Sequence, residues 1–252
     1  MGFLPDDVPD PAAPVDGQFL TTRWSIVLGA GDSSGPDAQR RALEQLCHDY
    51  WYPLYAFLRR SGKSQVDAED LTQGFFERFL TREDFKRATP ERGRFRSYLL
   101  TSLKNYVASE WHKENAVKRG GGSSVFPIDA DLERRYGCEP SHGVTPETLY
   151  EKSWANAIIA RVLAKLSQEF AAAGKSGLFD SLRGHLGGAK GSDSNYAAVA
   201  ESHGMSVGAV TMAVRRMRAR YGELLRRDIA ETVSSADEVD DEIRFLLSAL
   251  AA

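Results

Sequence analysis

The sequence predicts an all-α fold: two small helical domains joined by a flexible linker, the second containing a helix-turn-helix. Three observations predict it. Apolar residues recur at three- and four-residue steps along most of the chain beyond residue 36. No alternating strand pattern is visible outside residues 18–28. A glycine-serine run at Gly120-Gly121-Gly122-Ser123-Ser124 closes one helical block, and Thr145-Pro146-Glu147 opens another with an N-cap residue, a proline at the first helical position and an early acid.

Residues 1–20, with Pro5, Pro9, Pro11 and Pro14, read as a disordered leader. Thr21–Leu28 is a short apolar segment expected to pack on the first helix. That helix runs from about Asp37 to Arg60, with Leu43, Leu46, Tyr50, Leu54 and Phe57 on one face. Pro53 is expected to kink or divide it. A second helix starts near Ser64 or Asp67, where Ser64 and Asp67 resemble a capping box, and buries Leu71, Phe75, Phe79 and Leu80. Pro90 and Gly93 break the chain before a long helix from about Phe95 to Lys118. Residues 21–120 thus form the first domain, and 121–144 has linker composition.

The second domain, 145–233, begins with a helix over roughly Pro146–Ala173 whose buried stripe is Trp154, Ile158, Val162, Leu166 and Phe170. Gly174 and Gly177 stop it, and a shorter helix, Gly177–His185, precedes a glycine-serine loop at 187–194. Ser194 or Asn195 then caps a short helix through about His203. Gly204 supplies the positive φ needed to leave it, and Ser206 caps the next helix. There Val207, Val210, Val214, Met217 and Tyr221 form the core stripe. The opposite face shows Ser206, Gly208, Thr211, Met212, Arg215, Arg216 and Arg218. A tight helix pair with a glycine turn and a small-residue N-terminal half fits the DNA major groove. Ser206, Gly208 and Thr211 allow close approach to base edges. Arg215 reaches guanine or phosphate, and Arg216, Arg218 and Arg220 hold phosphates. Residues 234–252 form an acidic C-terminal helix with Val239, Ile243, Leu246 and Leu250 on one face.

Charge is distributed unevenly. The 252-residue chain carries a net charge of −3, but Arg215, Arg216, Arg218, Arg220, Arg226 and Arg227 lie together, whereas Asp237, Glu238, Asp240, Asp241 and Glu242 crowd the tail. Such local clusters, not the total, set the partners. No apolar run approaches the roughly 18 residues of a membrane span. Cys47 and Cys138 are too few for a disulfide framework, so a cytoplasmic protein without membrane contact is expected. Cys138 and His142 fall short of a metal site, which needs three or four ligands.

In the first domain, Asp67, Glu69 and Asp70 suit the positive end of their helix dipole. Gln73, Phe76 and Glu77 continue what reads as an exposed face, with Phe76 off the main apolar stripe, as in a protein contact. Downstream, Arg92, Arg94, Phe95, Arg96, Tyr98, Lys104, Tyr106, Trp111, Lys113, Lys118 and Arg119 interleave cations with rings. That pairing stacks unpaired bases while neutralising their backbone.

Three blocks together resemble conserved region 2 of sigma-70-type RNA polymerase initiation factors: Asp67-Ala68-Glu69-Asp70-Leu71-x-Gln73, Pro90-Glu91-Arg92-Gly93-x-Phe95-Arg96-x-x-Leu99, and Lys104-Asn105. The similarity is to the small extracytoplasmic-function group, and the helix-turn-helix at 195–220 resembles its region 4. Arg23-Trp24, Tyr50-Trp51-Tyr52-Pro53 and Val239-Asp240-Asp241-Glu242 resemble a planctomycete and myxobacterial subgroup. The resemblance implies that Asp67, Glu69, Asp70, Leu71, Gln73 and Phe76 dock on the clamp helices of the largest subunit of core RNA polymerase. It implies that Arg94, Phe95, Arg96, Tyr98, Lys104 and Asn105 open and read the −10 element of promoter DNA. Ser206, Gly208, Thr211, Arg215, Arg216 and Arg218 would read the −35 element as duplex. It implies a monomer with no catalytic step, no cofactor and no metal, and an opposing anti-sigma or kinase-linked regulator.

The chain departs from the minimal pattern in three places. It is longer between Trp154 and Tyr196. Thr211 and Ala213 stand where basic residues are common. The C-terminal helix is additional: it either caps the second domain, shields the arginine cluster with its acids or meets a regulator. Two other classes compete. A dimeric repressor or activator would use the same helix-turn-helix, but no heptad seam for dimerisation is visible. A hydrolase would use Gly31-Asp32-Ser33-Ser34-Gly35 as a nucleophile elbow, but no parallel sheet follows it.

Overall fold

The computed structural model describes residues 36–84, 94–116, 132–139, 143–186, 196–233 and 235–251, and every regular element among them is helical. The segment Thr21–Leu28, the Gly31–Gly35 motif, most of the loop before Phe95 and His142 lie outside the described residues. In chain order the helices are α1 (Pro36–Arg60), α2 (Gln65–Thr81), α3 (Phe95–Ala116), α4 (Leu132–Gly137), α5 (Pro146–Ala172), α6 (Ser176–Leu182), α7 (Tyr196–Ser202), α8 (Val207–Ala230) and α9 (Val239–Ala251). Short 3₁₀ turns follow α6 at Arg183–His185 and precede α9 at Ala236–Glu238.

Local chemistry sets the helix starts. Ser64 Oγ accepts from the Asp67 amide at 3.1 Å and donates to Asp67 Oδ2 at 2.7 Å, closing the expected box. Thr145 accepts from the Thr148 amide at 3.1 Å, with Pro146 at the first helical position. Ser206 accepts from the Ala209 amide at 3.2 Å. Pro53 does not divide α1, which continues through it to Arg60.

α5 lies along α1, while α8 and α9 pack on the rest of α5. Leu54, Leu58, Leu149, Trp154, Val162, Leu166, Met217 and Leu246 belong to one contiguous buried cluster drawn from both halves of the chain. One buried charge network runs through it. Arg161 on α5 pairs with Asp49 on α1 and with Asp228 on α8, and Lys165 also donates to Asp228.

Within 121–144, where composition reads as linker, Leu132–Gly137 forms α4 and folds back on α1. Glu133 accepts from Arg59 through both carboxylate oxygens at 2.6 and 3.1 Å, and from the Tyr55 hydroxyl at 2.5 Å. Tyr52 donates to Glu139 at 2.8 Å, and the Arg135 guanidinium lies 3.5 Å from the centre of the Tyr52 ring. Four side-chain contacts to the tyrosines and Arg59 of α1 give this polar stretch a fixed place.

Candidate nucleic-acid interface

α2 presents two different surfaces. Asp67 and Asp70 are exposed near its N-terminus, and Glu69, half-buried, accepts from Gln65 at 3.0 Å. Leu71 is half-buried against the core. Gln73 and Phe76 correct the expectation of an exposed face, since both are buried. The Trp51 indole of α1 lies parallel to the Phe76 ring, with 5.4 Å between centroids and 7° between planes. On the adjoining side Phe75 meets Phe76, Phe79 and Tyr106. Helix α2 is wedged between α1 and α3, so its apolar arc is broader than a single stripe. The doublets Phe75-Phe76 and Phe79-Leu80, read against the Tyr50-Trp51-Tyr52 run, are the sequence signal for that arc.

The residues of α3 expected to face an unpaired strand are mostly engaged within the chain. Phe95 is buried with its ring edge-on to Tyr50 at 5.7 Å. Tyr98 donates its hydroxyl to the Asp84 carbonyl at 2.7 Å. Lys104 donates to Glu147 of α5 at 2.8 Å, and Asn105 is exposed. Arg94 lies 3.3 Å from one Glu242 oxygen and 3.6 Å from Glu238. Arg96 pairs with the other Glu242 oxygen, and burial draws its pKa below the usual guanidinium value. Trp111, at 57% exposure, is the exposed large ring of α3 among the described residues, with the neighbouring His112 ring edge-on at 5.1 Å.

A tight turn joins α7 to α8. Gly204 turns the chain at φ +61°, and Met205 closes the turn by donating to the Ala200 carbonyl at 2.8 Å. Val210, Ala213, Val214 and Met217 face inward, and Tyr221 is half-buried. Val207 corrects the predicted stripe: it stands in the first turn of α8 at 49% exposure. Ser206, Gly208, Thr211, Met212, Arg215 and Arg216 share the outer surface, and among the described residues neither Arg215 nor Arg216 has a carboxylate partner. Arg218 and Arg220 differ from their expected role on phosphate. Arg218 donates twice to the His185 carbonyl, at 2.9 and 2.7 Å, and Arg220 grips Glu169 through two nitrogens at 2.9 and 2.7 Å. Both bind α8 to neighbouring structure.

The acids of α9 divide between two places. Asp240 reaches Arg226 of the arginine cluster at 2.7 Å, whereas Glu238 and Glu242 turn to Arg94 and Arg96.

Residues 48–117, from His48 within α1 through the end of α3, match the family model for sigma-70 region 2. Over that stretch the chain is similar to sigma-70 region 2. The match supports a place among sigma-70 family factors, which act in promoter recognition by RNA polymerase and are not enzymes. No curated protein and no solved structure matches the chain. The matched residues include the exposed Asp67 and Asp70 and half-buried Glu69 on α2, and Arg94 and Arg96 at the start of α3, where Glu242 of α9 meets them. Among the described residues no helix is long and apolar enough to cross a membrane, and no cluster of metal-binding side chains is present.

Proposed function

We propose that this chain is a sigma factor of the extracytoplasmic-function group, which directs core RNA polymerase to promoters from the cytoplasm. The observation that carries this reading is the region 2 match over His48–Val117, in a chain whose other half presents a capped helix with free arginines. The acidic face of α2, centred on Asp70, docks on the largest subunit. The outer surface of α8 enters the major groove of the −35 element. There Ser206, Gly208 and Thr211 lie close to base edges, with Arg215 and Arg216 on guanine or phosphate.

At the −10 element α3 holds the separated strand. Opening costs about 1.4 kcal/mol per base-pair step. Cation and ring contacts from Arg94, Arg96, Tyr98 and Trp111 to the freed strand offset that cost. Lys104 and Asn105 extend the track, and Phe95 supports it from the core side. No covalent step belongs to the chain.

Association with purified core polymerase, followed by native gel shift, tests the docking half of the proposal. Wild type is expected to co-migrate and Asp70→Ala to dissociate. Tight duplex binding by the chain alone, with no polymerase complex, would instead identify a free-standing transcriptional regulator.

A further inference from the structure

We propose that α9 is a built-in competitor for single-stranded DNA, holding Arg94 and Arg96 at the start of α3 until a promoter strand displaces it. The inference rests on the assignment of α3 as the strand-binding helix and names the control acting on that site.

Glu242 is 1% exposed and lies 146 residues away in sequence from the arginine it pairs with. One carboxylate oxygen meets Arg96, and the other lies 3.3 Å from Arg94 Nε, with Glu238 3.6 Å away on the same guanidinium. The Phe245 ring sits 3.9 Å from the Arg96 guanidinium, and Trp154 covers it at 4.9 Å. Helix α9 therefore offers α3 an anion beside a flat aromatic face. A nucleotide of an unpaired strand offers the same two things, a phosphate and a base. Glu242 and Phe245 occupy the arginines with the chemistry that a strand would use.

Packing alone does not require this arrangement. Val239, Leu246 and Ala249 already bury the apolar side of α9, which packs on α5 and α8. A well-packed apolar pair at the contact with α3 would hold it at least as firmly as a buried ion pair. The two acids belong instead to a contact that another anion can replace.

Anisotropy of a labelled single-stranded oligonucleotide, with the full chain and its Glu242→Gln and Phe245→Ala variants, tests the proposal. A docked helix lowers apparent affinity by the fraction of molecules that are open. Each variant is therefore expected to bind about tenfold more tightly, as for a closed fraction near nine-tenths. Adding Arg96→Ala to Glu242→Gln should remove the gain. Amide exchange over 239–251 and 95–105 reports separately on α9 release and on the integrity of α3. Unchanged affinity in both variants, whether α9 exchange rises or stays the same, would overturn the proposal. Transcription with core polymerase separates the two claims. If wild type directs promoter-specific starts while the variants bind the oligonucleotide as wild type does, only the competitor role falls. If wild type directs none, the strand-reading assignment falls with it.

Discussion

Arg161 on α5 donates from Nε to Oδ2 of Asp228 on α8 at 2.6 Å, with Asp228 fully buried. The same guanidinium pairs with Asp49 of α1, so one side chain of α5 joins α1 to α8. Removing one member strands the others in a dry interior. Asp228→Ala is expected to destabilise the chain by about 3 kcal/mol in urea unfolding. A loss below about 1 kcal/mol would mean that the network is solvated and not structural.

The same aspartate sets a pH dependence. Burial alone would raise its pKa, but the Arg161 charge and hydrogen bonds from Arg161 and Lys165 outweigh burial and hold it below the ordinary value. A folded pKa below the unfolded one means that the stabilisation is present above about pH 4 and is lost as pH falls through the depressed value. Acid titration of unfolding should show a steeper loss of stability below about pH 4 in wild type than in Asp228→Asn. Glu133, Glu147 and Glu169 are lowered in the same direction by Arg59, Lys104 and Arg220, in pairs open to solvent that weigh less.

Phe76 and Asp70 lie on the same helix and should separate folding from docking. Phe76→Ala removes the ring stacked on Trp51 and is expected to cost about 3 kcal/mol. Asp70→Ala, on the exposed surface, should change stability by less than about 0.5 kcal/mol and still abolish association with core polymerase. Thermal unfolding beside the gel shift checks both. A stable Phe76→Ala protein that fails to bind polymerase would return Phe76 to the contact surface.

Backbone chemistry at the turn into α8 gives a further expectation. Gly204→Ala places a Cβ at φ +61° and should cost about 1 kcal/mol. Ser206→Ala, which removes the cap on Ala209, should cost a similar amount, about 1 kcal/mol. Neither change in calorimetric stability would be seen if the turn were formed only on DNA.

Arginines on α8 should divide by role. Arg215→Ala and Arg216→Ala should weaken duplex binding and each reduce the salt slope by about 1. Arg218→Ala should leave the slope unchanged and lower stability, because its guanidinium is committed to the His185 carbonyl. Equal slopes for all three variants would contradict this division.

Much of the fold was legible because its signals are local. Ser64, Thr145 and Ser206 announce helix starts through side-chain acceptors three residues before the amides they serve, and Gly204 announces a turn through its own backbone. The burial of Phe76 was not legible from one stripe, because two neighbouring helices press on α2 from different sides. The helix at Leu132–Gly137 was hidden in polar linker composition, since what fixes it is Arg59 and Tyr55 more than seventy residues earlier. The pairing of Glu242 with Arg96 was beyond reach for the same reason. Acidic and basic clusters show that charges will meet, but only the packing of α9 on α5 selects which ones.

Run-off transcription from fragments of the source genome, with core polymerase and the purified chain, tests the central claim most directly. The account predicts discrete start sites that require the chain and that disappear with Asp70→Ala or with Arg215→Ala. Starts that are independent of the chain, or that survive both substitutions, would contradict it.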